Sequence, residues 1–346
     1  METGRHRKQR AFRLGLVVAV AISCLLSLGL AEIGARLLLP APWYLEDGES
    51  SWPPFMKRRV GAAVEYLRAG MEAPAPEDAY RILFLGDSFT YGVGVDESQT
   101  FVSRIVTRLN EGPPNEGFRE HIAFNGGIPG SLTGSWKGLH EAAQELFQPH
   151  LVVVVFFLRD GQIGAGSTTA VRKMKERLRE LHGSSFLFQH SYLYRQLFVR
   201  PLIREVGKEY LSTMADGYFG PPARTQEWKR AQSNVLAMRD RAEEHGAKFV
   251  MVIFPVLFDL GPDYPLRNVV DVIADFARSN DIQTLSLLPA YTGHEASELW
   301  LSSFDQHPNE RGHAIAADAI HPLVARLVAH DPNPLPAAPL APEAGD

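Results

Sequence analysis

The sequence predicts an α/β protein, a three-layer α/β/α sandwich on a five-stranded parallel sheet, preceded by an N-terminal transmembrane helix. Five short apolar runs rich in branched residues, Arg81–Gly86, His121–Asn125, Leu151–Leu158, Lys248–Pro255 and Ile282–Leu287, read as strands buried on both faces. Stretches with a helical period lie between them, and strand, helix, strand repeated with right-handed crossovers gives a doubly wound sheet. An uncharged run, Leu14–Ala31, stands directly behind a cluster of basic residues at the start of the chain.

That N-terminal run is an address. Arg5, Arg7, Lys8, Arg10 and Arg13 against Glu2 give residues 1–13 a charge of +4, although the whole chain carries -5. The asymmetry follows the positive-inside rule, so 1–13 is read as a cytoplasmic tip. Allowed to leave the bilayer at the interface by Leu39, the run reaches the roughly 20 apolar residues that a spanning helix needs. Secretory h-regions are shorter, about 7 to 15 residues, so residues 14–39 are read as an uncleaved signal-anchor. Removal after Gly29-Leu30-Ala31 is the alternative. Both readings export the body to the periplasmic or extracellular side, and the first leaves it tied to the cell membrane as a single-pass protein. The single cysteine, Cys24, lies inside this run, which excludes an intrachain disulfide and a cysteine metal site.

A chain of 346 residues has room for one sizeable α/β domain with appendages. A 45% hydrophobic and 22% charged composition argues against wholesale disorder and against a polytopic membrane protein. Residues 40–78, with prolines scattered among charged and aromatic side chains, read as a linker or docking segment. The domain then runs over 79–330, and the Pro/Ala-rich 331–346 reads as a disordered tail. Phe101, Val102, Ile105, Val106 and Leu109 form one helical stripe, with Asp96 as its expected cap; Leu266, Val269, Val270, Ile273, Phe276 and Ala277 form another. Residues 162–225 interrupt the rhythm with a basic amphipathic stretch, Val171–Leu181, and an aromatic one, Phe186–Phe198, read as a helical insert forming a lid or wall. The body is acidic, with no basic footprint for nucleic acid.

In open α/β sheets the ligand crevice lies beyond the carboxyl ends of the strands. The first strand ends at Gly86-Asp87-Ser88-Phe89-Thr90-Tyr91-Gly92, which puts Ser88 at its exit. A serine hydroxyl becomes a competent nucleophile when a base takes its proton. Asp305 and His307, in Ser303-Phe304-Asp305-Gln306-His307-Pro308-Asn309, supply such a base. In an extended segment residues i and i+2 face one side, so the carboxylate can hold one ring nitrogen and leave the other for Ser88. Pro308 and Asn309 open a helix at about 310–329. The Gly-x-Ser-x-Gly elbow of the α/β-hydrolases is not matched, because Thr90-Tyr91 follow the serine.

The block Gly86-Asp87-Ser88-Phe89-Thr90 and the block Asp305-Gln306-His307-Pro308-Asn309-Glu310-Arg311-Gly312-His313 resemble the first and last signatures of the SGNH (GDSL-like) hydrolases, over about residues 80–330. The resemblance implies the flavodoxin-like form of the sandwich, a triad of Ser88, Asp305 and His307, and an oxyanion hole from the backbone N–H groups of Ser88 and a second-block glycine. Within Asn125-Gly126-Gly127-Ile128-Pro129-Gly130 that glycine is read as Gly127. Such donors are worth about 2.7–4 kcal/mol each in the transition state. The family's third block carries an oxyanion-binding Asn, whereas here the third strand ends Phe157-Leu158-Arg159-Asp160. Arg159 can donate to the oxyanion, bind an anionic substrate group or pair with Asp160. Asp87 and Asp160 are expected to brace their loops.

Other patterns carry less. His313 is read as structural. His140-Glu141 lacks the second histidine of a zinc motif, Gln144 standing in its place, and Gly92-Val93-Gly94 lacks the third glycine of a dinucleotide fingerprint, so neither metal nor cofactor is expected. The basic stretch of the insert reads as a solvated face, with a membrane-facing surface as the alternative. The expected activity is that of a serine esterase or acetylesterase acting through an acyl-enzyme on acylated carbohydrate or lipid of the cell envelope. An O-acyltransferase, or a non-catalytic scaffold on the same fold, are the alternatives.

Overall fold

The computed structural model describes residues 2–38, 75–76, 78–112, 117–162, 176–302 and 305–329. Nearly all of the expected linker, the whole expected tail and Val171–Lys175 of the basic stretch lie outside the described residues.

Along the chain, helix α1 (Glu2–Leu38) precedes strand β1 (Ala79–Gly86), the short helix α2 (Ser88–Tyr91) and α3 (Phe101–Glu111). Then come β2 (Glu120–Gly127), α4 (Thr133–Leu146) and β3 (Leu151–Phe157). A helical stretch over 176–184 leads to α5 (Phe186–His190), α6 (Tyr192–Phe219) and α7 (Gln226–Glu244). The chain closes with β4 (Lys248–Phe254), α8 (Arg267–Ser279), β5 (Gln283–Ser286), α9 (Leu288–Tyr291), β6 (Trp300–Ser302), β7 (Asp305–Pro308) and α10 (Glu310–Ala329).

Two compact units are present, residues 1–50 with 166–210, and residues 51–165 with 211–346. The larger unit holds the five-stranded sheet in the order β2-β1-β3-β4-β5, every pairing parallel. All five strands fall where the apolar runs predict them, because a strand flanked by helices on both faces has no solvent side and needs continuous apolar sequence. Every residue of β1 and β3 is buried. Each large apolar side chain so placed contributes about 1.5–3 kcal/mol. Phe84 and Phe254 point to one face, where both meet Phe101 of α3, and α10 packs beside α3. Phe156 points to the other, against Trp136 of α4 and Trp228 of α7, and Trp228 in turn meets Phe276 of α8.

Two local expectations change. Thr100, and not Asp96, caps α3: its Oγ1 accepts from Ser103 N–H at 3.2 Å, whereas Asp96 precedes a separate 3-10 turn at Glu97–Gln99 and makes no capping bond. A capping side chain must stand directly before the first helical residue, and Asp96 stands too far upstream of Phe101 to do so. The β6–β7 pair was also not expected. It is a small antiparallel ribbon with Ser302 opposite Asp305 and Trp300 opposite Pro308.

In the smaller unit α1 is a continuous helix; within Gly15–Leu38 its most apolar 18-residue window has a mean hydropathy of 2.4, and the segment is exposed apart from Glu32, Gly34 and Ala35 near its end. Its 24 residues are long and apolar enough to cross a membrane.

Candidate active site

Ser88 is the first residue of α2, directly after β1. Asp87 precedes it as the helix cap, its Oδ1 accepting from Phe89 N–H at 2.9 Å. Phe89 anchors the other side of this turn, stacked on Phe157 at 4.1 Å between ring centres and edge-on to Phe254. The nucleophile loop is therefore fixed to the ends of β3 and β4.

The partner residues arrive on β7. Its extended backbone turns Asp305 and His307 to one side: Asp305 Oδ1 lies 2.6 Å from His307 Nδ1 and accepts from His307 N–H at 3.1 Å. On the opposite ring edge, His307 Nε2 lies 2.9 Å from Ser88 Oγ. Residues 219 positions apart thus share one hydrogen-bonded chain. Burial pushes the Asp305 carboxyl up, but the hydrogen bond from the His307 ring, its charge and its backbone N–H outweigh this and hold the group below its ordinary value.

Asn309 steadies the base loop. Its Oδ1 accepts from Arg311 and Gly312 N–H at the start of α10, and its Nδ2 donates to Glu298 O and Trp300 O. His313, one turn into α10, is fully buried, stacked on Phe101, and accepts from Phe101 N–H at Nδ1, 3.2 Å away. Burial, with Arg104 and His307 nearby, pushes its pKa down to about 3. It packs α10 onto α3 and makes no hydrogen bond to Ser88. His140 is likewise buried, with Gln144 Nε2 at 2.9 Å from its Nε2, and no group of metal-ligating side chains occurs among the described residues.

Gly127 sits differently from the free donor that the family resemblance implies. Its N–H donates to Asn125 Oδ1 at 3.1 Å, and Asn125 Nδ2 donates to Thr90 O and Tyr91 O at the end of α2. A β-carbon on Gly127 would stand 2.6 Å from Tyr91 Cα and 2.8 Å from Thr90 C, so the glycine is there to let α2 approach β2. The next loop holds another candidate. Ile128-Pro129-Gly130-Ser131 is a turn closed by Ser131 N–H to Ile128 O at 3.0 Å, with Gly130 at φ 75°. Proline then glycine at its two central positions is the type II pattern, and this dipeptide was the signal available in the sequence. The turn lies alongside the nucleophile, because Ile128 N–H donates to Gly86 O at 2.9 Å. Among the described residues no acceptor engages the N–H of Gly130 or that of Ser88.

Arg159 follows β3 in a 3-10 turn, Leu158–Gly161. Its Nη2 donates to Asp87 Oδ2 at 3.0 Å and to Ser131 O at 3.4 Å, and lies 3.6 Å from Asp160 Oδ1. The nearer carboxylate is thus Asp87 and not the sequence neighbour Asp160, whose other oxygen accepts from Phe157 N–H at 2.8 Å. Arg159 ties the nucleophile loop to the turn after β2 and to the end of β3. Burial and the nearby Asp87 carboxylate push Asp160 well above the ordinary carboxylate range. The buried Tyr218 hydroxyl, donating to Leu158 O at 2.6 Å, pins the same turn from α6.

Of the solved structures, TesA is 17% identical, with 71% of this chain and 99% of that one covered at a TM-score of 0.41. The psychrotrophic esterase EstA from Pseudoalteromonas sp. is 15% identical over 71% of this chain and 97% of its own, TM-score 0.41. A two-domain esterase, CEX, active on acetylated mannans, is 16% identical over 82% of this chain and 56% of its own, TM-score 0.38. No curated protein matches the sequence. The model of the GDSL-like lipase/acylhydrolase family matches residues 84–315, from the end of β1 through the start of α10, and the chain belongs to that family.

Proposed function

We propose that this chain is a serine ester hydrolase that works through an acyl-enzyme on Ser88, tethered to the cell membrane by Gly15–Leu38 with its hydrolase domain outside the cytoplasm. The observation that carries the reading is the 2.9 Å approach of His307 Nε2 to Ser88 Oγ, with Asp305 on the other ring nitrogen. In acylation Ser88 Oγ attacks the ester carbonyl as its proton passes to His307 Nε2. The imidazolium so formed, held by Asp305, returns that proton to the leaving alcohol as the C–O bond breaks. Water, deprotonated by the same nitrogen, then releases the acid and restores Ser88.

The developing oxyanion is assigned to the N–H groups of Ser88 and Gly130, both without an acceptor among the described residues, in place of Gly127, whose N–H is bonded to Asn125. Arg159 supports the loop through Asp87 and is not assigned to the oxyanion. Acylated carbohydrate or lipid of the envelope is the proposed substrate class, since an exported, tethered domain meets those esters first. A fluorophosphonate probe tests the mechanism. Labelling of the wild type that disappears in Ser88→Ala is expected, with loss of aryl-ester hydrolysis; equal labelling of the two proteins refutes the assignment.

A further inference from the structure

We propose that the inserted segment from Phe186 to Phe198 lies flat in the membrane surface, a second and non-spanning lipid contact of this chain. The proposal rests on the reading of Gly15–Leu38 as a membrane span. It adds a partner of defined chemistry, the anionic phospholipid headgroups and the upper acyl chains beneath them.

The smaller unit ties this segment to one level of α1. Glu32 accepts from Ser191 Oγ at 2.9 Å, from Tyr192 N–H at 2.6 Å and from Leu193 N–H at 2.9 Å, closing the start of α6. Arg36, one turn on, donates from Nε to Glu32 Oε1 at 2.9 Å and from Nη2 to His190 O, the last residue of α5, at 2.7 Å. A rise of 1.5 Å per residue carries the helix ~26 Å from Gly15 to Glu32. That nearly spans a hydrocarbon core of about 30 Å. A carboxylate and a guanidinium are costly inside that core, so Glu32 and Arg36 mark where α1 leaves it. The junction of α5 and α6 is held at the same depth.

At this level the segment presents large apolar side chains outward. Phe186 is 72% exposed, Leu187 53%, Leu197 65% and Phe198 49%. The two phenylalanines are flanked by rings with a polar edge, His190 at 4.4 Å from Phe186 and Tyr194 at 5.0 Å from Phe198, a pairing suited to the headgroup boundary. Charge points the same way. Residues 166–210 hold nine Lys and Arg against four Glu, a net +5 within a chain of net -5. A short helix followed by the first turns of a longer one, with exposed aromatic and leucine side chains in a basic segment, has the properties of an interfacial element.

Nitroxide labels on the full chain, reconstituted into phosphatidylcholine–phosphatidylglycerol vesicles, test this. The variants are Cys24→Ser combined with Leu187→Cys, Leu197→Cys or, as an aqueous reference on α7, Ser233→Cys; native Cys24 reports the bilayer core. Power saturation compares relaxation by oxygen, which concentrates in lipid, with relaxation by a water-soluble nickel chelate. Oxygen-to-nickel ratios at 187 and 197 several-fold above that at 233, and below that at Cys24, are expected. Ratios at 187 and 197 equal to that at 233, with Cys24 still in lipid, overturn the proposal and leave the anchor standing. An aqueous ratio at Cys24 removes the anchor and the proposal with it. Dipolar broadening that vanishes on dilution with unlabelled chain assigns the face to a second copy and likewise overturns it.

Discussion

Gly127→Ala separates two roles for this glycine, because alanine keeps the N–H and adds only a methyl group. That methyl would stand 2.6 Å from Tyr91 Cα and 2.8 Å from Thr90 C, inside the 3.4 Å at which ordinary contact begins, and closer still to Tyr91 N. The opposing atoms are backbone, so no side-chain rotation relieves the clash. β2 cannot give, since it is registered to β1 over its full length, from Ala79 opposite Glu120 to Gly86 opposite Gly127. The four-residue α2 therefore moves, by ~1 Å, at a cost of about 1–3 kcal/mol for overpacking. Ser88 moves with it and loses its 2.9 Å approach to His307. A misplacement of ~1 Å lowers turnover about 100-fold. Urea denaturation and aryl-ester turnover measure the two effects. A Gly127→Ala protein with wild-type stability and wild-type kcat refutes the steric reasoning, whereas a glycine needed only as an amide donor would tolerate the change.

The remaining predictions concern charge. Asp305→Asn removes a charge-assisted bond worth about 1.5–3 kcal/mol to the imidazolium, so kcat falls at least ~10-fold with little change in KM, as stopped assays on aryl esters will read. Because the Asp305 carboxyl is held below its ordinary value of 3.8, its contribution to folding stability is full above that value and fades as pH falls through the lowered one; the stability gap between wild type and Asp305→Asn should narrow in that acid range. His313, lowered from 6.5 to about 3, acts in the opposite sense to a paired histidine: between those values the unfolded chain binds the proton and the folded one does not, so stability declines as pH falls from 6.5 toward 3. His313→Gln, which keeps an acceptor and cannot titrate, should flatten that decline in denaturation curves taken at about pH 7, above the window, and at about pH 5 and 4, inside it. Arg159→Leu leaves Asp87 and Asp160, with side chains 1% and 0% exposed, without their shared cation. A loss of about 3–5 kcal/mol is expected, read as a lowered denaturation midpoint.

How much of this was legible in the sequence depends on the distance over which each feature is decided. The five strands could be placed from composition alone, because burial on both faces of a parallel sheet forces an unbroken apolar run. Asp305 and His307 could be paired because a two-residue spacing fixes their common side once the segment is extended, and β7 is extended. The apolar length of the N-terminal helix is likewise a property of consecutive residues. The cap of α3 was misplaced for a local reason, since the 3-10 turn after Asp96 shifts the helix start to Phe101 and leaves Thr100 in the capping position.

By itself the sequence determined the layer architecture, the identity of the candidate nucleophile and base, and the apolar N-terminal span, all of which follow from short-range periodicity and spacing. Only the tertiary structure decided which partners those groups have. The meeting of Ser88 with His307 across 219 positions, the choice of Asp87 over Asp160 as the nearer partner of Arg159, and the engagement of the Gly127 N–H by Asn125 depend on how α2, β7 and the turn after β3 converge beyond the strand ends. Hydrogen bonds and ion pairs form at angstrom-scale approach, and that approach is set by packing of the whole sheet, which no local pattern encodes.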